Sequence, residues 1–496
     1  MLIELHLSRV AGGTLQAQIA DQLRQQIFSG RLQPGYELPP SRELARQYGI
    51  SRNTIIHAYE HLISEGYLAT VKGVRTIVAE SIPEACLYVE KEEPPPNNQY
   101  FAPRAPVVFA GENLAVPAAA LRTSKLIDFW PGRANVAHFP TATWRKLADD
   151  ALSAQSRELV EYGDPAGLSA LREAIAQHVA NSRGVRCSAE AVIITAGTQE
   201  AINLVARMLI AENTGVVIED PGYGSAAHTF KSYGARIQAI PVDRDGLVTD
   251  VLPQEGTSFA YVTPSHQFPT GATMSATRRH ALLDWAYRSG AYIVEDDYDS
   301  DYSFDGPPAL SLAGADDGQC VIYIGTFSKS LGAGVRTGYL IVPPQLIDVA
   351  RRVKAMNNYG HPWLEQAILQ SFIGTGAYQR HLRMIRKASA DTIGFLISRL
   401  QASFGSLDIW GVNGGMHVMW LLPDWMPPAE DFKARLEANG VHVHTLASGG
   451  AYCQSGLYCD RAILLGYAAL TQRQIGRAVE IMQRVTPSGY ASLRQA

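Results

Sequence analysis

The chain has 496 residues, 46% hydrophobic and 18% charged, enough for two or three globular domains with a large core. Its formal net charge of −4 excludes a protein that coats nucleic acid over its whole surface. No run of about 18 apolar residues marks a spanning helix, and "MLIELHLSRV" lacks the basic head and apolar centre of a secretion signal, so a cytoplasmic protein without membrane contact is expected.

Residues 1–78 carry eight basic and six acidic side chains, +2 against −6 for the remainder. Leu15, Ile19, Leu23 and Ile27 recur every four residues, an amphipathic helix closed by Gly30. Ser41 is placed to cap a second helix that carries Leu44 and Tyr48 and stops at Gly49. Ser51 caps a third, with Ile55, Tyr59, Leu62 and Ile63 on one face, and the short "GIS" step between the two fits a helix-turn-helix. "YLATVKGVRTIVAE" reads as two alternating β runs, a wing with Lys72 and Arg75 at its tip. Arg52, Asn53, Thr54 and His57 face away from the apolar stripe, at the end where a recognition helix meets base edges, and Arg42 opens the helix before it. The wing cations suit phosphate or minor-groove contact. A helical domain with an ordinary solvated face is the plain alternative, but the wing and its basic tips favour double-stranded DNA. "LPPSRELA", "ISRNTIIHAYEHLISEGYL" and "KGVRT" resemble the GntR-type winged helix, with Pro40 where that family more often has serine.

Residues 79–124 break every pattern. "EKEEPPPNNQYFAPRAP" combines charge, three successive prolines and turn formers, the composition of a semi-rigid linker. From 125 to 490, short apolar runs alternate with helical patterns: "AVIITAG", "GVVIED", "FAYVTP", "AYIVEDD", "VIYIGT" and "TGYLIV". Continuous apolar strands of this kind imply a mostly parallel sheet covered on both faces, with functional residues at the strand ends.

At those ends, Thr198 and Gln199 open a helix suited to an anion. Tyr223 follows a strand beside two glycines, where a ring could stack on a planar ligand. "IVEDDYDSDYSF" concentrates Glu295, Asp296, Asp297, Asp299 and Asp301 at a buried strand's end, which demands a cation, ample water or a protonated ring nitrogen. "IYIGTFSKSLGAGVRTGYLIVP" sets Lys329 among Thr326, Ser328 and Arg336. A lysine, a phosphate pocket, a stacking tyrosine and an acidic partner together point to pyridoxal 5'-phosphate, with Lys329 as its Schiff-base lysine and no metal. The five cysteines (Cys86, Cys187, Cys320, Cys453, Cys459) are odd in number and scattered, and are expected as reduced thiols.

"YGDPAGLSALREAIA", "TAGTQEAINL", "EDPGYG", "TPSHQFPTG", "EDDYDSDY" and "GTFSKSLGAGVRTGYL" resemble fold-type I aminotransferases. Together with the winged helix they are similar to the MocR/GabR group of regulators, in which a GntR-type winged helix is fused to an aminotransferase-like domain. The resemblance implies Lys329 as the cofactor lysine, Asp296 as partner of the pyridine nitrogen and Tyr223 as the stacking ring. It further implies Thr198, Gln199, Thr326, Ser328 and Arg336 as phosphate ligands, Tyr298 near the phenolic oxygen, and Tyr162 reaching a neighbouring subunit's phosphate. It also implies a head-to-tail homodimer on an operator with two half-sites. Phe268 stands where catalytic relatives usually have asparagine, and Leu464 where they have the substrate-carboxylate arginine; Arg461 is expected as a strand-edge charge. A regulator sensing an amine-bearing metabolite is therefore expected. A working aminotransferase and a sensor of pyridoxal phosphate itself remain the rivals.

Overall fold

The computed structural model describes residues 3–8, 14–71, 75–80, 126–154, 156–304, 310–454 and 456–486. The expected linker lies outside them from residue 81 on. The chain divides into two compact units, Met1–Ala105 and Pro106–Ala496. Among the described residues no helix is long and apolar enough to cross a membrane.

In the first unit, α1 (Leu15–Phe28), α2 (Ser41–Tyr48) and α3 (Arg52–Ser64) precede the hairpin of β1 (Leu68–Val71) and β2 (Arg75–Val78). Ile19, Leu23 and Ile27 of α1 join Leu44, Ile55 and Leu62 in one buried cluster, which fixes the angle at which α3 is presented. Gly30 and Gly49 follow their helices in the left-handed conformation (φ 70° and 63°), the conformation glycine adopts without a Cβ penalty. Ser51 Oγ accepts from Asn53 N at 3.3 Å, capping α3 as expected. Two expectations shift. Pro40 occupies the cap position of α2 and has no side-chain oxygen to offer; Ser41 is the first helical residue, and its Oγ accepts from Arg52 Nε at 3.3 Å. Ile63 is 36% exposed, because it lies about 80° round the helix from Ile55, while Ala58, Tyr59 and Leu62 hold the buried face. The β1–β2 register closes at Val71↔Arg75, and the tip with Lys72 lies outside the described residues.

The second unit is built on an eight-stranded sheet. Its order is Val192–Thr195, Gly338–Ile341, Val321–Thr326, Tyr292–Asp297, Thr257–Val262, Gly215–Asp220, Arg236–Asp243 and Gly246–Leu247. Gly338–Ile341 runs against both neighbours and Gly246–Leu247 against its one; the other pairs are parallel. All six expected strands are present. Arg236–Asp243 is an addition, unreadable as a core strand because only Ile240 and Val242 are buried. Successive residues feed opposite layers: Val321 and Tyr323 join one buried cluster, Ile322 and Ile324 the other. Truncating such a side chain to alanine costs about 2–5 kcal/mol, so the sheet is a rigid base for what stands at its rim. A smaller sheet, Asp408–Trp410, His417–Leu421, Ala462–Gly466 and His444–Thr445, completes the unit.

Candidate functional site

Parallel strands end on one rim, and the register determines which residues meet there. Asp296 pairs with Ile324 and Asp297 with Gly325, so the acidic strand and the strand leading to Lys329 finish side by side. Gly338 pairs with both Thr326 and Thr195, which brings the Thr198 helix alongside. A Cβ on Gly338 would come within 2.9 Å of the Gly325 carbonyl and 3.0 Å of Gly197 Cα, so only glycine allows that approach.

A cavity of about 200 Å³ opens on this rim. It brings together Thr198, Gln199, Tyr223, Asp296, Tyr298, Thr326, Ser328, Lys329 and Arg336, nine of the ten residues expected at a cofactor. The tenth, Tyr162, is 91% exposed and stands outside it, its ring 6.0 Å from that of Tyr359. Thr198 is the first residue of the helix Thr198–Leu209, whose free N–H groups form an anion-binding end. Glu200 steadies that turn, accepting from Ala196 N at 2.6 Å and from the buried Lys354 at 2.7 Å. Arg336 adopts a left-handed backbone (φ 50°), a cost accepted for placement: its Nη2 donates to Ala196 O at 2.6 Å beside the same helix end. Gln199 lines the cavity, but its amide donates to Thr229 Oγ1 at 2.8 Å. The Tyr223 ring stands edge-on to Phe268 at 5.7 Å.

The acidic run resolves into separate tasks. Glu295 accepts from the backbone N–H groups of Leu312 and Ala313, at 3.0 and 2.9 Å. Asp297 pairs with buried Arg183 at 2.7 Å and accepts from Tyr323 and Ser300. Asp301 accepts from Tyr378 at 2.6 Å. Asp296 brings an open oxygen to the wall of this cavity. Tyr261 donates to its Oδ2 at 2.5 Å, while Oδ1 is buried and has no hydrogen-bond partner among the described residues. Burial pushes the Asp296 carboxyl up to about 7, against the opposing pull of Tyr261 and Lys329. Burial likewise lowers Lys329 from the usual lysine value, opposed by Asp299 and Asp296. A lysine that sheds its proton readily is a better nucleophile toward a carbonyl.

Gly132 and His417 in the cavity, and His266 beside it, carry no sign of a role in the sequence. Gly132 packs on the lysine: a Cβ there would fall 2.5 Å from Lys329 Nζ. His417 is buried and pushed down to about 3 by desolvation and by His266, so it stays neutral; its Nε2 lies 3.1 Å from Pro269 O. His266 stands 3.2 Å from the Tyr298 hydroxyl. Single histidines and glycines without a period give pattern reading nothing to detect.

Outside the cavity, Arg461 lays its guanidinium on the carbonyls of Leu422, Pro423 and Met426, so it is a carbonyl anchor inside the fold rather than a strand-edge charge. Leu464 is fully buried. The expectation of reduced thiols is corrected at one pair. Cys453 and Cys459 are joined in a disulfide, because the chain doubles back between Ala451–Tyr452 and Leu457–Arg461 and sets their Cα atoms 6.4 Å apart. Cys187 and Cys320 are free, and Cys86 lies outside the described residues.

On the first unit, Arg42, Ser51, Arg52, Asn53 and His57 are exposed and Thr54 half-buried, all at the N-terminal ends of α2 and α3. Arg75 is exposed and lies 3.2 Å from Glu37, and His57 lies 3.2 Å from Glu60. Such exposed pairs are worth about 0–1 kcal/mol and yield readily to a phosphate.

Comparison with known proteins agrees with both halves. The family "Aminotransferase class I and II" matches residues 132–482, and "Bacterial regulatory proteins, gntR family" matches residues 15–78. The "Probable rhizopine catabolism regulatory protein MocR" of Rhizobium meliloti is 37% identical over 390 residues, 78% of this chain and 77% of its own length. The "HTH-type pyridoxine biosynthesis transcriptional regulator PdxR" of Corynebacterium glutamicum is 29% identical over 463 residues, 92% of each chain. Among solved structures, the kynurenine aminotransferase of Pyrococcus horikoshii superposes with a TM-score of 0.67 at 23% identity, over 73% of this chain and 91% of that one.

Proposed function

Because this chain belongs to the MocR-type regulators, a gntR-family DNA-binding head joined to a pyridoxal phosphate-type aminotransferase domain, we propose that it reads an amine-bearing metabolite at Lys329 and converts that reading into operator affinity. The observation that carries this reading is the buried, unpartnered Asp296 Oδ1 in the same cavity as Lys329. The residues fit the cofactor. The open oxygen suits a ring N–H, the helix end with Thr198, Ser328 and Arg336 suits a phosphate, and Gly132 leaves a space beside Lys329 that any Cβ would fill.

When bound, pyridoxal phosphate supplies a carbonyl that amines can exchange on and a ring that withdraws electrons. Asp296 would hold the ring proton, Tyr261 would fix which oxygen does so, and Arg336 with the helix end would anchor the phosphate. Lys329, its charge weakened by burial, would hold the carbonyl end of the cofactor and could serve as a base beside an incoming amine. Two features favour retention of the amine over turnover. Phe268 cannot donate or accept at the phenolic oxygen, and neither Leu464 nor the anchored Arg461 can orient a substrate carboxylate. We therefore place keto-acid release below about one per minute.

The acting species is a cytoplasmic homodimer, head-to-tail, whose exposed Tyr162 completes the phosphate end of the second subunit's cavity. Arg42, Ser51, Arg52, Asn53, Thr54 and His57 meet one half-site, with Lys72 and Arg75 on its flanks. Residues 79–124 tether each head, and amine binding in the domain at 125–490 resets the spacing of the two heads. The test is a titration of the purified yellow protein with a panel of amines, recording the cofactor's absorption and keto-acid release together. A spectral shift without sustained release is expected. Several turnovers per second with any physiological pair would make the chain an aminotransferase. A relative named for pyridoxine biosynthesis motivates a further arm: operator affinity that depends on cofactor loading alone, with no amine, would identify pyridoxal phosphate itself as the signal.

A further inference from the structure

A second chamber, of about 540 Å³, adjoins the cofactor cavity across the contact between His266 and Tyr298. One wall comes from the loops after the Thr257–Val262 and Tyr292–Asp297 strands, the other from the glycine-rich turn 411–415 that enters the small sheet. His266 Nδ1 lies 2.9 Å from Asp299 Oδ2 and 3.2 Å from the Tyr298 hydroxyl, so the ring proton belongs on that side. That leaves Nε2 as an acceptor. It is buried without a hydrogen-bond partner among the described residues, whereas Asp299 Oδ2 is paired with the Nδ1 side of the ring at 2.9 Å. A Cβ on Gly271 or Gly411 would come within 3.0 or 2.9 Å of Nε2, and both glycines line the chamber with φ above +70°. The chain keeps that nitrogen open.

The occupant must bring a donor, since a buried acceptor without one carries a desolvation penalty. It has no reason to bring negative charge. Of the two lining arginines, Arg183 is paired with Asp297 at 2.7 Å, and Arg244 lies on Asp408 and 4.5 Å over the Trp410 ring. Ser303 and Asn413 add polar groups at the wall. A divalent cation suits the site less well, although His266, Asp299 and His417 each bring one donor atom within 4.8 Å of the others. His417 Nε2 is committed to Pro269 O, and His266 Nδ1 carries the shared proton.

We propose that this chamber binds a small, uncharged polyhydroxyl compound, one of whose hydroxyls donates to His266 Nε2 while others meet Ser303 and Asn413. Bridging the two walls, it gives the domain a second input beside the amine, and it reaches the cofactor cavity through Tyr298.

Calorimetry on the full-length, cofactor-loaded protein tests this with sorbitol, inositol and glucose as probes, and with gluconate as a charged control. At least one neutral probe is expected to bind one per chain, with gluconate at least tenfold weaker. Ser303→Leu, which fills the chamber, and Asn413→Ala, which spares the packing, should each weaken binding, the former at least tenfold. The cofactor band and its response to amines should survive in both, so a failure here is distinct from failure of the amine-sensor reading. Absence of binding by all three neutral probes, or binding undiminished in both variants, would overturn the proposal. Stoichiometric zinc binding that depends on His266 and excludes the probes would overturn it too.

Discussion

Arg52, Asn53 and His57 stand exposed at the start of α3, whereas Asp296 and Lys329 are buried at the rim of a parallel sheet. The first group projects from a cluster of apolar residues that would pack equally well without it. The second group is part of the packing, and each member is tuned by the others. Function on the small unit is therefore added to a fold, while function on the large unit is built into one. Substitutions should affect binding alone in the first case, and binding, ionisation and stability together in the second.

The largest expected effect is at Lys329. Lys329→Ala should abolish the amine-dependent spectral change entirely, and borohydride should fix the cofactor to the Lys329 peptide in the wild type and label nothing in the variant; a label on another lysine would break the assignment. Next comes Asp296→Asn, which replaces the anionic partner of the ring nitrogen. It should weaken cofactor binding by about 2–5 kcal/mol, measured by titration of the cofactor-free protein.

Asp296 also carries a pH signature. Burial raises its carboxyl to about 7 in the fold against an ordinary value of 3.8, so between those pH values the folded cofactor-free protein holds a proton that the unfolded chain has lost. Its favourable contribution is present below about pH 4 and is lost as pH rises through 7. Cofactor-free wild type should therefore lose stability relative to Asp296→Asn across that window, by about 1.4 kcal/mol per pH unit at most, as read from denaturant midpoints. A flat difference would show that Asp296 titrates as an exposed acid.

Smaller effects belong to the small unit. Arg52→Ala should cost about 1–3 kcal/mol at the cognate operator and leave the melting temperature unchanged. Ser51→Ala removes the cap of α3 and should cost about 1 kcal/mol of stability. If Arg52→Ala destabilised the fold as much as it weakened DNA binding, the contrast between added and built-in function would fail.

The same contrast explains what could be read from the sequence. Exposed residues on a helix follow a 3.6-residue period, so the exposed face of α3 was legible; Ile63 was misplaced because it borders the buried stripe. Six core strands were legible from apolar runs, whereas Arg236–Asp243, mostly half-buried, was not. In the cavity, residue types announced the chemistry, but the division of labour among Glu295, Asp296 and Asp297 depends on partners far away in sequence, Leu312, Tyr261 and Arg183. Only the register of neighbouring strands supplies those. His266, His417 and the Cys453–Cys459 bond lie in loops or strand ends brought together by the same long-range pairing.

Occupancy of Lys329 by an amine is what the DNA-binding head should respond to. The most direct measurement is operator affinity with and without an amine that shifts the cofactor band, in wild type and in Lys329→Ala. A change of at least several-fold in the wild type and none in the variant is expected. An equal response in both proteins, or no response in a wild type whose cofactor band has shifted fully, would contradict it.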